Sequence, residues 1–325
     1  MARVPSTPLT TALWALAAGF AIWTAIRIGG LETGYPAFPL IAFTPYGARL
    51  APIGAAVALL LGARLAAAVM ATSAVVLLAL LAPRAIPNGP PENAPNGPTL
   101  RVLAVNLSQG EAGLSEVQSR AIELHVDVIS FAELTPPAAN ELTASELGQR
   151  LPHRIFDTAT GSNGTGLMSR HPLRQLPAPG TEGNDRPTVI AEARLPGAAA
   201  AEIYSIHPVA PLGSAEVEGL ERYLAAIPPA DLAGVPRVLA GDFNTTLDHA
   251  SLREVIASGY VDAADATGRG LDWTWPQRLY PPPVTIDHVI TDERAEVLDY
   301  ETYELPGGDH RMVFASLRLP EQLPP

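Results

Sequence analysis

The residues of this sequence best suited to chemistry form the motif Gly241-Asp242-Phe243-Asn244, which follows a predicted buried strand at 236–240. Side chains two positions apart on an extended segment point to the same face, so Asp242 and Asn244 are expected to project together. A carboxylate can orient or deprotonate a water molecule, and an amide can donate to a phosphate oxygen without adding negative charge. The motif therefore predicts chemistry on a phosphate group at a strand end.

Further polar residues stand beside other apolar runs, where predicted strands end. The complete set is Asn106, Glu133, His207, Asp242, Asn244, Asp287, Asp309 and His310. We expect these side chains to converge at one end of a sandwich. His288 follows Asp287 along its strand, so it should point to the opposite face and pack there. The remaining histidines, His125, His153, His171 and His249, are expected to be surface or loop residues.

The pattern of elements from residue 99 onward indicates the fold class. Predicted strands cover 100–106, 126–133, 188–195, 201–207, 238–243, 284–290 and 312–319, with amphipathic helices at 116–124 and 216–226. Strands outnumber helices, and several connections have the length of hairpins. We therefore predict an α/β (α+β) fold, a four-layer sandwich of two packed mixed β-sheets flanked by helices, in a domain at 99–325.

The first 82 residues predict a membrane anchor. Residues 9–26 carry no charge, and the 33 residues from Leu50 to Ala82 are interrupted only by Arg64. Because a spanning helix needs about 20 apolar residues, the second run predicts a hairpin that begins near Tyr46 and turns at 62–64. About three transmembrane helices result. A signal peptide is the alternative for the first, but it leaves the second run unexplained.

The segment 83–98 holds six prolines and two Asn-Gly pairs, and it predicts an extended linker that lifts the following domain off the membrane. Charge is distributed unevenly along the chain. Of the net charge of −12, residues 1–84 contribute +4, from five arginines and one glutamate, so the remainder carries −16. Nucleic-acid binding depends on cations that neutralise phosphates, so this acidity disfavours a nuclease of long duplex DNA.

Seven motifs in order resemble the endonuclease/exonuclease/phosphatase superfamily, the metal-dependent phosphoesterases that include DNase I-like nucleases, sphingomyelinases and inositol-polyphosphate phosphatases. They are Val105-Asn106-Leu107, Phe131-Ala132-Glu133-Leu134, Gly166-Leu167-Met168-Ser169-Arg170, Ile206-His207-Pro208, Gly241-Asp242-Phe243-Asn244, Ile286-Asp287-His288-Val289 and Gly308-Asp309-His310-Arg311. One such motif is weak evidence, whereas seven in the family's order are strong evidence.

The resemblance implies a role for each residue. Glu133 resembles the principal metal ligand, with Asn106 and Asp309 on the metal side, and the ion implied is Mg²⁺ or Mn²⁺. Asp242 and Asn244 resemble the pair that aligns the attacking water. His310, oriented by Asp287, and His207 would lie beside the phosphate. The alternatives are Asx turns at Asn106 and Asp242, and solvated or structural roles for Glu133 and His207.

Two neighbouring features have competing interpretations. Trp273-Thr274-Trp275-Pro276 resembles a family loop at the substrate mouth, with core packing as the alternative. Arg170 and Arg186 could clamp a phosphate, although surface roles are more common for arginine.

The N-terminal helices also resemble a bacterial membrane branch of the superfamily associated with teicoplanin-type glycopeptide resistance. This resemblance implies a multi-pass cell-membrane protein with an extracytoplasmic catalytic domain, which acts on a phosphate ester or pyrophosphate, including lipid-linked envelope substrates. An extracytoplasmic nuclease and a sphingomyelinase-like phospholipid phosphodiesterase are the alternatives. The expected partners are the phosphorylated substrate and the lipid bilayer; nucleic acid is less favoured, and no protein partner is predicted.

Overall fold

The computed structural model describes residues 8–89, 95–178, 188–196, 199–231, 233–278 and 281–321. The helices are Pro8–Gly29 (α1), Ala37–Ile41 (α2), Thr44–Leu60 (α3), Arg64–Leu81 (α4), Leu114–Glu123 (α5), Pro136–Ala144 (α6), Glu146–Arg150 (α7), Ser214–Ala225 (α8), Ala250–Ala257 (α9) and Ala263–Ala266 (α10). The strands are Thr99–Asn106 (β1), Val128–Ala132 (β2), His153–Asp157 (β3), Thr165–Ser169 (β4), Leu173–Leu176 (β5), Val189–Arg194 (β6), Ala200–Ile206 (β7), Arg237–Asp242 (β8), Tyr260–Asp262 (β9), Asp287–Asp292 (β10), Glu296–Tyr303 (β11) and Met312–Arg318 (β12).

The strands form two six-stranded sheets. Sheet 1 has the order β11-β12-β1-β2-β4-β3, and sheet 2 has the order β5-β6-β7-β8-β10-β9. Each sheet contains one parallel pair, β1 with β2 and β7 with β8. A parallel pair needs a crossover connection, and helices α5 and α8 lie in these two crossovers. The two packed mixed sheets confirm the predicted fold class.

Alternation along the strands explains the four layers. In β1, Val102 and Ala104 pack in the core between the sheets, whereas Leu103 and Val105 pack against the helices that cover sheet 1. Successive side chains of a strand point to opposite faces, so one strand serves two cores. Helices α5, α6 and α7 cover sheet 1, and helices α8 and α9 cover sheet 2.

The N-terminal helices form a separate apolar cluster around Leu13, Ala17, Ala58 and Met70. Two stretches, Pro8–Gly29 and Arg64–Ala85, are long and apolar enough to cross a membrane. The second and third long helices, α3 and α4, form a hairpin that turns at residues 61–63. The third expected span corresponds to α3, which has 17 residues.

The beginning of the expected linker packs against the domain instead of separating it from the helices. Residues Ala82–Ala85 form a 3-10 turn, and Arg84 is buried. Pro87 forms a β-bridge with Thr267, and Asn88 N donates to Ala266 O at 2.8 Å. The prediction that this part lifts the domain away was wrong, because composition does not show that Arg84 finds a buried carboxylate.

Candidate active site

The residues predicted for chemistry converge on one edge of the sandwich. Asn106 ends β1 and Asp242 ends β8, while Glu133 and His207 directly follow β2 and β7. These four strands are the two parallel pairs, so within each sheet the carboxyl ends of the pair lie together.

Two more residues reach this edge from antiparallel strands. Asp287 begins β10 and is paired in register with Asp242. His310 lies two positions before β12, which runs antiparallel to β1. An antiparallel strand begins where its neighbour ends, so residues distant in sequence meet here.

A buried polar network joins the two sheets at this edge. Asn106 Nδ2 donates to Asp242 Oδ2 at 3.0 Å, which connects the ends of β1 and β8. His310 Nδ1 lies 2.9 Å from Asp287 Oδ2, and His310 Nε2 lies 3.8 Å from Asp242 Oδ2. A carboxylate only accepts hydrogen bonds, so His310 Nδ1 must carry a proton. The imidazole is therefore held between two carboxylates.

Glu133 and His207 form the neighbouring part of the site. Glu133 Oε2 accepts from Gln109 N at 2.6 Å, and Glu133 Oε1 lies 3.9 Å from His207 Nε2. The same His207 nitrogen is 3.8 Å from Asp242 Oδ2. His207 thus stands between two carboxylates, as His310 does.

Asp309 lies at the more open side of the site. Its Oδ1 accepts from Ser108 Oγ at 2.5 Å, and its Oδ2 accepts from Trp275 Nε1 at 3.0 Å. Burial raises the pKa of Asp309, but the Ser108 hydrogen bond, the His310 charge and the Trp275 hydrogen bond outweigh it and lower the pKa overall. Asp309 is therefore an ionised carboxylate with both oxygens oriented.

Six of the eight candidate residues line one cavity of about 400 Å³, whereas Asn106 and Asp287 contact them from outside its lining. Its polar lining comprises Glu133, His207, Asp242, Asn244, His249, Asp309 and His310. Its remaining lining comprises Pro39, Ala42, Phe43, Ala210, Pro211, Leu212, Trp275, Pro281, Val284 and Ile286. The cavity thus combines an acidic, imidazole-rich lining with apolar walls.

The sequence profile of the endonuclease/exonuclease/phosphatase family matches residues 102–310, a stretch that contains every residue of the network. The chain belongs to the endonuclease/exonuclease/phosphatase family. The superfamily predicted from the seven motifs is thereby confirmed. Members of this family are phosphoester hydrolases. No curated protein matches this sequence.

Solved structures share the family fold. An endonuclease/exonuclease/phosphatase from Beutenbergia cavernae DSM 12333 is 20% identical, with a TM-score of 0.54, covering 68% of this chain and 72% of that chain. Humanized D. rerio TDP2 is 15% identical, with a TM-score of 0.53, covering 67% and 98%. An AP endonuclease from Archaeoglobus fulgidus is 15% identical, with a TM-score of 0.50, covering 66% and 98%. At these identities the comparison establishes the fold.

In this family member the two carboxylates around His310 decide its charge. Burial lowers the pKa of His310, but Asp287 and Asp242 outweigh burial and raise the pKa to about 10. A protonated Nε2 is a donor, so its 3.4 Å separation from Asn106 Nδ2, also a donor, is not a hydrogen bond in this state. The Nε2 proton faces Asp242 and the cavity instead.

Asp242 is shifted toward neutrality. Burial raises its pKa to about 7, opposed by the His310 charge and assisted by the nearby Asp287 carboxylate. A carboxyl group that titrates near pH 7 can accept a proton from a bound water and release it again. Asp242 is the member of the network best suited to that task.

Backbone strain is concentrated at the site. Among the described residues other than glycine, positive φ occurs at Ser108, Gln109, Glu133 and Asn244, and outside the site at His125. Such conformations are sparsely populated for L-residues and persist where the surrounding structure imposes them. The strain lies in the loops that aim the polar side chains.

The alternatives considered for Asn106 and Asp242 coexist with positions in the site. Asn106 Oδ1 accepts from Ser108 N at 2.9 Å, and Asp242 Oδ1 accepts from Asn244 N at 2.8 Å. Both are Asx turns, and both leave the other side-chain atoms directed toward the network. Asn244 Nδ2 donates to Pro208 O at 3.1 Å, so one of its amide protons is already engaged.

His288 and His249 lie beside the network with different partners. His288 packs away from the cavity lining, with Nδ1 2.8 Å from Asp262 Oδ2 and Nε2 3.0 Å from Thr245 O. The expectation that His249 is a surface or loop residue was wrong, since His249 is 1% exposed and its Nε2 lies 3.0 Å from Phe38 O. Burial lowers its pKa to about 4.

The aromatic loop contributes to the cavity lining, whereas Arg170 does not. Trp275 lines the cavity, and Thr274 Oγ1 accepts from the backbone nitrogens of Ile286 and Asp287, each at 3.0 Å. Arg170 pairs with Asp127 at 3.1 Å, away from the cavity lining. Arg186 lies outside the described residues.

The donor set suits a divalent cation. Glu133 and Asp309 offer carboxylate oxygens, and Asn106 offers a carbonyl oxygen with a second lone pair, which are the hard ligands that Mg²⁺ and Mn²⁺ prefer. Asp242, Asp287 and His310 also offer ligand atoms within 4.8 Å of one another. In this second group, His310 Nδ1 already contacts Asp287 Oδ2 at 2.9 Å, so a metal ion bound there would have to break that contact.

Several functional neighbours were missed by sequence reasoning. Ser108 and Gln109 hold Asp309 and Glu133, and Phe43 and Ala42 join the cavity lining from the N-terminal region. Ser108 follows Asn106 by two positions, so the polar loop after β1 was an available signal. The sequence carries no comparable signal for Phe43, because nothing local connects a residue of the N-terminal region with a distant cavity.

Proposed function

We propose that this protein is a membrane-anchored, metal-dependent phosphoesterase that hydrolyses a phosphate ester or pyrophosphate, with a lipid-linked envelope substrate as its most favoured class. The observation that carries the proposal is the Asp287–His310–Asp242–Asn106 network facing a cavity that also contains Glu133. An acidic residue that titrates near neutrality beside an imidazolium suits general acid–base chemistry on a phosphate.

Glu133, Asn106 and Asp309 are the residues proposed to hold the ion. A bound divalent cation would polarise a phosphoryl oxygen and stabilise charge on the leaving group. The backbone of Gln109 and the hydroxyl of Ser108 hold the two carboxylates in orientation. Such supporting hydrogen bonds fix ligand geometry before an ion or a substrate arrives.

Asp242 is proposed to accept the proton of the attacking water, with Asn244 aligning that water. The protonated His310 donates toward the phosphoryl oxygens, and Asp287 holds its ring through Nδ1. His207, beside both Asp242 and Glu133, provides a second group for the same negative charge. Because water attacks the phosphorus directly, the reaction needs no covalent bond between enzyme and substrate.

Membrane attachment is supported by composition and exposure. Two helices have the length and hydropathy of spans, and α3 lies between them as the third proposed span. Among the described residues, exposed large apolar side chains lie between 9 and 86 with three exceptions. A large exposed apolar surface marks an interaction site, and a bilayer fits an N-terminal bundle. An extracytoplasmic catalytic domain is part of the proposal through the resemblance to the teicoplanin-resistance branch.

Nuclease activity is the second candidate. One structural neighbour is D. rerio TDP2 complexed with a single strand DNA product, with a TM-score of 0.53 and 14% identity. The lining of the 400 Å³ cavity contains no Arg among the described residues, one Arg (Arg278) lines the adjoining space beside Glu133 and Asp309, and the chain beyond residue 84 carries −16. A phosphate backbone needs cationic contacts along several nucleotides, so a small or lipid-borne phosphate fits better.

A substrate panel tests the proposal with the full chain in Mg²⁺. The panel contains a chromogenic phosphodiester, plasmid DNA, sphingomyelin and a polyprenyl pyrophosphate, and each is assayed with wild type and Asp242→Ala. Turnover of the polyprenyl substrate that Asp242→Ala abolishes is expected. Plasmid cleavage without lipid turnover would favour the nuclease, and equal, background rates for both proteins would refute an enzyme.

A further inference from the structure

Exposed apolar residues outside the N-terminal region are few and mostly lie near the active site. In the described part of the chain beyond residue 86, the large exposed apolar side chains are Leu212, Trp273 and Leu298. Leu212 is 80% exposed and lines the active-site cavity. Trp273 lines a neighbouring cavity of about 280 Å³ between the N-terminal helices and the domain. Leu298 lies on β11, an edge strand of sheet 1.

The N-terminal region supplies another wall of the active-site cavity. Ala42 and Phe43 pack in one apolar cluster with Val284, Ile286 and Trp275. The same two residues line the cavity that contains Asp242 and His310. The segment between the two candidate spanning helices is therefore part of the substrate site as well as of the anchor.

Contacts at the helix ends hold this arrangement beside the catalytic loop. Arg27 in α1 and Arg84 after α4 both bind Asp248, four positions after Asn244. Tyr46 at the start of α3 donates to Pro283 O at 2.8 Å. The ends of three helices thus meet the edge of the sheets that carries the active site, so the cavity lies next to the proposed bilayer anchor.

We propose that Phe43 and Leu212 form an apolar subsite for a hydrocarbon chain attached to the substrate phosphate; this rests on the proposed phosphoesterase function. The walls they share with Ala42 and Pro211 carry no side-chain hydrogen-bonding groups, so they offer a chain contact area and offer a sugar or base few polar partners. The acidic and imidazole groups lie in the same cavity and take the phosphate. The chain reaches the subsite from the bilayer.

Each methylene group removed from water favours binding by roughly fourfold, so chain length is a sensitive probe of the subsite. The full chain is reconstituted in phosphatidylcholine vesicles with Mg²⁺, and kcat/KM is measured for methyl, hexyl and dodecyl esters of 4-nitrophenyl phosphate. We expect a preference for dodecyl over methyl of about 100-fold or more. Leu212→Ser and Phe43→Ala should each reduce that preference by about tenfold.

Leu298→Ser is the matched control, since it removes an exposed leucine that is not part of the cavity lining, and it should retain the wild-type rates for the dodecyl and methyl esters. Leu212→Ser changes a highly exposed side chain, which keeps the test independent of any folding defect in Phe43→Ala. Each ester partitions into the vesicles equally whichever protein variant is present. A changed preference for the dodecyl over the methyl ester therefore reports on the subsite. Binding of dodecyl phosphate, followed by tryptophan fluorescence, should weaken in the same two variants without any turnover.

The hexyl ester stays in solution and distinguishes the source of the chain. If the chain enters from the bilayer, diluting the dodecyl ester with phosphatidylcholine at constant total concentration lowers its rate, whereas the hexyl rate stays constant. A dodecyl rate insensitive to this dilution would overturn bilayer entry. A wild type that hydrolyses all three esters equally, or a Leu212→Ser variant with the wild-type preference, would overturn the subsite. Hydrolysis of none of them would instead refute the phosphoesterase function and the subsite with it.

Discussion

Arg84 donates to both carboxylate oxygens of Asp248, at 3.1 and 2.9 Å, and both side chains are buried. Arg27 Nε donates to the same carboxylate at 2.8 Å. Asp248 follows the Gly241-Asp242-Phe243-Asn244 motif by four positions, so a single carboxylate connects the ends of two helices to the loop after this motif. The N-terminal helices and the candidate active site should therefore lose structure together.

Asp248→Asn should destabilise the full chain by about 3–5 kcal/mol, because two buried guanidinium groups lose their counter-charge. Thermal unfolding in vesicles or detergent measures the effect. Asp272→Asn is the control, since Asp272 pairs with Arg269 at a partly exposed site. That variant should change stability by less than about 1 kcal/mol. Equal effects of the two substitutions would contradict the proposed connection between the N-terminal helices and this loop.

Asp287→Asn should reduce kcat by about 100-fold or more, since His310 loses the carboxylate that orients and charges it. Without Asp287, the lowering of the His310 pKa by burial is opposed less strongly, so this pKa falls from about 10. The alkaline limb of the kcat profile should then move to lower pH. A full pH–rate profile checks this, with the exposed Asp299→Asn as a charge-matched control. An unchanged alkaline limb would show that His310 does not set it.

The His288–Asp262 pair should be a stability element. Burial lowers the pKa of His288, but Asp262 outweighs it and raises the pKa above the ordinary histidine value. A folded-state pKa above the unfolded value means that the stabilisation is complete below the unfolded pKa and is lost as pH rises through the folded one. Asp262→Asn should thus cost more stability at about pH 5.5 than at about pH 9. Unfolding at both pH values tests this; an equal loss at the two would be inconsistent with a charged pair.

Gly241→Ala should destabilise the domain by roughly 3 kcal/mol. Gly241 has a φ of +147°, and a Cβ there would lie 2.1 Å from Ile206 O on the parallel neighbour β7. Relief would separate β7 from β8, the strands before His207 and Asp242. Gly89→Ala is the control, since a Cβ there meets nothing within 4 Å. Denaturant unfolding of both variants should show a loss for Gly241→Ala alone.

Local sequence patterns were sufficient to predict the two-sheet sandwich and the edge that carries the polar residues. Apolar alternation identified β1, β2, β7 and β8, and a polar residue at the end of each placed Asn106, Glu133, His207 and Asp242 on one edge. The resemblance added the pairing of His310 with Asp287, which the structure shows at 2.9 Å. Short-range periodicity and ordered motifs carry this kind of information directly.

Contacts between residues far apart in the sequence could not be predicted from such local patterns. The linker prediction missed the burial of Arg84 because its partner Asp248 lies 164 positions away. His249 was assigned to the surface for the same reason, since its burial depends on Phe38 from the N-terminal region. A single sequence does not show how an apolar N-terminal region packs against a distant loop, so the apolar cavity wall could not be predicted either.

The most direct test of the central claim is the Mg²⁺-dependent hydrolysis rate of a 4-nitrophenyl phosphodiester by the full chain and by Asp242→Asn. We predict hydrolysis by wild type that EDTA abolishes and Mg²⁺ or Mn²⁺ restores. Asp242→Asn should lower kcat by about 100-fold to 10,000-fold, because the group that accepts the water proton is lost. Metal-independent hydrolysis, or a rate for Asp242→Asn equal to that of wild type, would contradict the account.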